Sequence, residues 1–222
     1  MLGGRTRLAV LAQISGPPDG ARAWSLQRGD FEALEKALPR VAGQRVVLVS
    51  GARSAAPVAA IALASAAAAS GRRTILVECD LAQPRLAAFI GLAAAPGLHE
   101  YLRWEAEPAD VVQPVALGGP AADASADPLA CVCGGRPASK AETLLGLQSF
   151  AHMVEKLRAG YELVILSAAP LLDEPGPCLA AARQADAVVA AVPVSAAGDR
   201  AFAKAIKRLP IRALGAIAVE GA

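Results

Sequence analysis

Seven short runs of Val, Ile, Leu and Ala, at residues 8–14, 45–50, 74–79, 129–133, 162–166, 187–194 and 214–219, constrain this chain more than any other feature of its sequence. They are nearly continuous in apolar residues rather than alternating, the pattern of strands covered on both faces. Between them lie segments with helical spacing. Leu147, Phe150, Met153, Val154 and Leu157 form one apolar stripe that ends near Gly160. Strands alternating with helices predict an α/β fold, a doubly wound and mostly parallel sheet with helices on both faces. At 222 residues the chain can bury a core of its own. Residues 1–222 are expected to form a single domain, in which residues 1–44 supply an amino-terminal strand and helix. Two Gly- and Pro-rich stretches, 15–23 and 118–128, read as exposed loops.

Apolar residues make up 55% of the chain and charged residues 19%, a globular rather than disordered balance. The alanine-rich stretch 55–70 is broken by Pro57 and closed by Gly71, and is too weakly apolar to span a bilayer. No secretory signal is read at residues 1–10, so a cytoplasmic location without direct membrane insertion is expected. The net charge of +2, with Arg72-Arg73 as the basic pair that stands out, argues against a nucleic-acid partner. Cys79, Cys131, Cys133 and Cys178 lie in or beside apolar runs and read as small buried hydrophobes. Cys131 and Cys133 have no second ligand pair at metal-binding spacing nearby. His99 and His152 have no interpretable catalytic partner.

A sheet of this class holds its ligands at the carboxyl ends of its strands. The run at 45–50 leads there into Ser50-Gly51-Ala52-Arg53-Ser54-Ala55-Ala56-Pro57-Val58, the position of a phosphate-binding loop. Such a loop needs glycines whose N–H groups turn toward phosphate, a Lys for its charge and a Ser or Thr hydroxyl for Mg²⁺. Gly51 is present, no Lys is, and Pro57 and Val58 stand where the Lys and hydroxyl belong. Pro57 suits the first turn of a helix, where its missing N–H costs nothing. Arg53 is the available substitute cation, although a lone loop arginine is also an ordinary surface residue. Glu78 and Asp80 end the next strand one residue apart; they read either as metal or proton-transfer groups or as solvated strand-end acids. Asp80 is the candidate metal ligand. Lys140 reads equally as a crevice neighbour or a helix-entry surface residue.

Glu78-Cys79-Asp80 followed by Gln83-Pro84-Arg85, Gly91-Leu92 before Pro96-Gly97-Leu98, and Gly134-Gly135-Arg136-Pro137 before Glu142 and Leu144-Leu145 carry a resemblance over most of the chain. It is similar to the bacterial tyrosine kinases (BY-kinases) of capsule and exopolysaccharide export and, more distantly, to MinD/ParA-like ATPases. The resemblance implies a P-loop NTPase-like domain with degenerate Walker motifs. It sets Ser167, in Ser167-Ala168-Ala169-Pro170, where the family's strand-end Asp organises Mg²⁺, and Val219 near the place of an adenine-reading Asn. The family carries an autophosphorylated tyrosine cluster after its last strand, whereas the two tyrosines read here are Tyr101 and Tyr161. Glu32 and Glu35 fall where the family's ring-forming helix carries arginines, so a hetero-oligomer is expected over a homo-ring.

The functional expectation is a catalytically impaired, kinase-like P-loop protein that regulates or scaffolds polysaccharide synthesis or export. Its implied partner is a membrane polysaccharide co-polymerase or an active kinase paralogue, which would hold it peripherally at the inner face of the membrane. No cofactor is expected unless a residual site binds ATP and Mg²⁺. One alternative is an active ATP-dependent protein-tyrosine kinase with an atypical site. A second is a MinD/ParA-like positioning ATPase, ranked last because the sequence is read as lacking a basic patch and an amphipathic carboxyl-terminal helix.

Overall fold

The computed structural model of the protein describes residues 8–17, 26–116 and 129–222. The expected loop at 118–128 and most of that at 15–23 lie outside the described residues, as does most of the amino-terminal stretch read for a signal. Each of the seven apolar runs forms a strand: β1 (Val10–Ser15), β2 (Val46–Gly51), β3 (Thr74–Glu78), β5 (Leu129–Val132), β6 (Leu163–Ser167), β7 (Ala187–Pro193) and β8 (Arg212–Glu220). An eighth, β4 (Val112–Val115), was not predicted. It is four residues long, contains Pro114, and pairs antiparallel to β5 at the sheet's edge, where a missing N–H is tolerated. The strand order is β1-β8-β7-β2-β6-β3-β5-β4, and every pairing except β4 with β5 is parallel.

Helices cover both faces, as expected. On one face lie α1 (Arg28–Val41), α2 (Ala55–Ala69) and α3 (Leu86–Ile90), packed with Val47, Val49, Leu76 and Ile165. The other face carries α4 (Leu98–Leu102), α6 (Ala141–Leu145), α7 (Gln148–Gly160), α8 (Pro175–Ala182) and α9 (Arg200–Ile206), over Leu48, Ile75, Val164 and Val188. A single turn, α5 (Pro108–Val111), leads into β4. The predicted stripe on α7 buries Phe150, Met153 and Val154.

All fifteen residues of α2 are buried. Alanine methyls let this helix approach both the sheet and α1, and burial on every side explains why it shows no polar face. At the chain's beginning, α1 is tied to β1 by the buried Asp30, whose carboxylate accepts the Ser15 N–H at 2.9 Å. Glu32 and Glu35 are exposed on this helix.

At the other end of the chain, α9 buries Phe202, Ala203 and Ile206 and leaves Arg200 and Lys204 exposed. It is an amphipathic basic helix near the carboxyl terminus, which corrects the reading that no such patch exists. Phe202 and Ile206 are four residues apart and meet the core, and the one polar residue between them is Lys204.

Candidate functional site

Strands β2, β6 and β3 are neighbours in the sheet, and their carboxyl ends open onto one crevice. Arg53, Ala56 and Pro57 line it from the β2–α2 junction, Glu78, Asp80, Gln83 and Arg85 from β3 and its following loop, and Ser167, Ala168 and Pro170 from β6. The space amounts to about 260 Å³ including the part open to solvent.

The junction is tight because α2 begins almost as soon as β2 ends. Only Ala52, Arg53 and Ser54 separate them. The Ala52 N–H donates to the Ala191 carbonyl at 2.9 Å, and the N–H groups of Ala55 and Ala56 donate to the Ala52 carbonyl at 3.0 and 2.9 Å. Donors that a phosphate-binding loop directs at its ligand are thus bonded internally. Pro57 falls in the first turn of α2, as expected, and presents a ring to the crevice in place of an N–H.

Gly51 is a glycine for a different reason from the one the sequence suggested. A Cβ there would overlap the Ala191 carbonyl oxygen of β7, so the residue is required by strand packing. Ala55 and Val58 point into the core beneath α2, and Ser54 is exposed outside the crevice lining. Of the seven loop positions singled out, the structure therefore brings Arg53, Ala56 and Pro57 to the crevice and sends Gly51, Ser54, Ala55 and Val58 elsewhere.

Arg53 does not extend freely into the opening. Its guanidinium donates to Glu174 Oε1 at 2.7 Å and stands 3.6 Å from Asp80 Oδ2 and 3.8 Å from Asp173 Oδ2. The Glu174 hydrogen bond, with the other carboxylates, holds the guanidinium pKa above its ordinary value. Asp80 is three-quarters or more buried, and burial pushes its carboxyl upward against the opposing effects of the Gln83 N–H, Arg53 and Arg85. Glu174 and Asp173 were not picked from the sequence. The available signal was an acidic pair in the segment after β6, facing the one cation of the β2 junction.

Glu78 has a distinct role. At 2% exposure it is not a solvated strand-end acid, and the carboxylate is saturated by backbone donors. Oε1 accepts the N–H groups of Arg85 and of Leu86, the latter at 2.8 Å, at the start of α3; Oε2 accepts the Gly134 N–H at 2.8 Å. Burial raises its pKa and these three hydrogen bonds oppose the rise. This side chain joins β3, α3 and the loop after β5, leaving little capacity to take up a proton or cation.

Ser167 lies beside Glu78 in the β3–β6 register and beside Val49 in the β2–β6 register, so it does sit at the strand-end position. Its hydroxyl brings no charge there. The crevice is lined by two arginines and the carboxylates of Glu78 and Asp80, and Glu174 and Asp173 lie against Arg53 at its side, a balance that opposes entry of a polyanion. Lys140 is an exposed residue at the start of α6 and does not line the crevice. His152 is exposed, while His99 packs beside Glu100, with Nδ1 3.8 Å from its carboxylate. The four cysteines are buried and free, as expected. Val219 is buried in β8 within the face that holds α2.

No family model matches the sequence, and comparison with curated proteins gives no match. Solved structures do match. The chimerical protein CapA2B2 is 16% identical, with a TM-score of 0.78 over 96% of this chain and 94% of that one. The kinase domain of Escherichia coli tyrosine kinase ETK is 16% identical, with a TM-score of 0.77 over 96% of this chain and 91% of that one. The septum site-determining protein MinD from Pyrococcus horikoshii, complexed with Mg-ADP, is 16% identical, with a TM-score of 0.59 over 78% of this chain and 69% of that one. The protein has the mostly parallel α/β P-loop NTPase-like fold of these kinase and MinD-like domains.

Proposed function

We propose that the chain is a single kinase-like P-loop domain that has lost phosphoryl transfer and acts by binding another protein, as a regulator or scaffold in exopolysaccharide synthesis or export. The observation that supports this reading most directly is the engagement of the crevice-lining Arg53 by Glu174, Asp80 and Asp173. Phosphoryl transfer depends on cations positioned around the phosphates and on a metal. Here the one cation of the loop is neutralised from within, the loop N–H groups are bonded internally, and Ser167 replaces a metal-organising acid. The polysaccharide assignment follows from the resemblance to tyrosine kinases of capsule export, and the overlap with the ETK kinase domain supports it at the level of fold. The partner fitting this reading is a membrane polysaccharide co-polymerase or an active kinase of similar fold. The exposed acids Glu32 and Glu35 on α1 favour a basic partner surface over a second copy of the same helix.

Calorimetric titration of the full chain with Mg-ATP and Mg-ADP tests the proposal. The expected result is no binding tighter than about 1 mM, a binding free energy weaker than about 4 kcal/mol. A micromolar Kd that disappears in the Asp80→Asn variant, or tyrosine phosphorylation of a protein substrate by the purified chain, overturns it.

A further inference from the structure

Between residues 200 and 212 the chain carries Arg200, Lys204, Lys207, Arg208 and Arg212 and no carboxylate, a local charge larger than the +2 of the whole protein. All five are exposed, and none forms an ion pair among the described residues. Their spacing makes them one surface. The helical hydrogen bonding of α9 continues through the Lys207 N–H to the Ala203 carbonyl. With about 100° per residue, Arg200, Lys204, Lys207 and Arg208 fall within an arc of roughly 100°. Phe202, Ile206 and Leu209 are buried in the core on the opposite side.

Sheet polarity adds to this surface. In parallel βα units the helices end where the following strands begin. The end of α8, with exposed Arg183, therefore leads into β7, and the end of α9 leads into the adjoining β8, whose first residue is Arg212. Both helices pack on the same face of the sheet. Cations favour helix carboxyl termini because the backbone dipole is negative there, which explains one charge at each end. It does not explain Arg200, which opens α9 directly after the capping Asp199 and forms no ion pair among the described residues.

We propose that this α9 surface docks electrostatically on an anionic phospholipid bilayer, without insertion. Only small side chains, Ala201 and Ala205, intervene between the cations on α9. The exposed side of α9 thus offers none of the aromatic anchors that concentrate affinity at protein interfaces. It also lacks aromatic platforms for bases. A planar layer of negative charge needs neither shape complementarity nor stacking, and clusters of about four to eight Lys and Arg suffice to bind one. The crevice opens at the carboxyl ends of the strands, away from the ends where Arg183, Lys207, Arg208 and Arg212 gather, so this docking is independent of whether the crevice holds a nucleotide.

Cosedimentation of the full chain with vesicles of phosphatidylcholine containing phosphatidylglycerol, against vesicles of phosphatidylcholine alone, tests the proposal. Binding is expected to the anionic vesicles only, and to be released as salt rises to about 0.3 M. Replacing Lys204, Lys207 and Arg208 together by Gln is expected to lower partitioning about a hundredfold, roughly fivefold per charge. Lys36→Gln, a single neutralisation on the opposite face of the sheet, should change it less than about twofold by the same reasoning. The triple variant's far-ultraviolet circular dichroism should match that of the parent, because all three side chains are exposed. Absence of sedimentation, equal sedimentation with neutral vesicles, unchanged partitioning of the triple variant, or tighter binding to duplex DNA than to anionic vesicles at the same salt overturns the proposal.

Discussion

Removing the Arg53 guanidinium should destabilise the protein in a way that other substitutions can partly reverse. In Arg53→Met the methylene stem is largely kept while the 2.7 Å hydrogen bond to Glu174 and the attraction to Asp80 and Asp173 are lost. A charge-assisted hydrogen bond contributes about 1.5–3 kcal/mol when sheltered, and an exposed ion pair about 0.2–1 kcal/mol. Arg53 and Glu174 are each about a quarter exposed, which places their pair between these limits, near ~1.5 kcal/mol. Asp80, 14% exposed, is left without its nearest cation, raising the expected cost of Arg53→Met to about 2 kcal/mol. For a chain of this size that corresponds to a fall in Tm of roughly 4–8 °C. The informative measurement is a double-mutant cycle with Glu174→Gln, followed by urea unfolding, in which the coupling energy should be about 1–2 kcal/mol. Adding Asp80→Asn to Arg53→Met should return part of the lost stability, because it removes the uncompensated charge. A coupling energy below about 0.3 kcal/mol, with no gain from Asp80→Asn, would refute the reasoning that Arg53 is held by carboxylates in the crevice.

Other perturbations separate structural from chemical roles. Glu78→Gln turns an acceptor of three backbone N–H groups into one that presents an NH₂ to them; unfolding midpoints should report a loss of about 2–4 kcal/mol. Gly51→Ala places a methyl against the Ala191 carbonyl and should yield little folded protein by circular dichroism, whether or not nucleotide is added. Ala64→Leu in the fully buried α2 should cost about 1–3 kcal/mol by overpacking, read from the urea midpoint. Asp186 is shifted by burial, which raises its pKa, but the Val46 and Arg45 N–H groups and Arg158 prevail and hold it below its ordinary 3.8. A depressed acid stabilises the fold above its unfolded pKa. That stability should be fully present above pH 3.8 and lost as pH falls further, and Asp186→Asn should flatten this acid limb of the urea midpoint.

The sheet was legible because burial on both faces demands apolar runs, and the sequence holds seven that are nearly continuous. β4 escaped because Val112, Gln113, Pro114 and Val115 read neither as a continuous run nor as an alternating one. Its antiparallel pairing with β5 depends on tertiary position, not on a local pattern. The junction after β2 was readable as a degenerate phosphate loop by its missing Lys and hydroxyl, but its path was not. Whether Gly51 faces a ligand or a neighbouring strand turns on the approach of β7, 140 residues later in the β2–β7 register. Glu78 posed the same difficulty. Its three donors come from α3 and from Gly134, and nothing in Glu78-Cys79-Asp80 distinguishes a buried acceptor from a strand-end acid. Glu174 and Asp173 showed in the sequence only as an acidic pair after β6, and an ion pair between distant segments leaves no periodic signal that would join them to Arg53.

Each crevice residue that differs from a phosphate-binding arrangement also takes part in the packing around it, and this has a consequence for any attempt to restore chemistry. Introducing Lys at Pro57 supplies a charge but leaves the Ala55 and Ala56 N–H groups turned back to Ala52. Replacing Ala52 or Ala56 by Gly relaxes the backbone, and the spacing is already that of a phosphate loop, with residues 52–55 between Gly51 and the Ala56-Pro57 pair, but α2 begins at Ala55 and winds that stretch into helix before it can encircle a phosphate. Neutralising Glu174 frees Arg53 but leaves Asp80 and Glu78 facing an incoming anion across a narrow space. An opened loop path, a Lys and the loss of the Arg53 carboxylates are therefore required together. Most of the scaffold around them can stay as it is, because the cores on the two sheet faces are built on Val47, Val49, Leu48 and Val164, and the crevice lining adds to them the small side chains of Ala56 and Ala168.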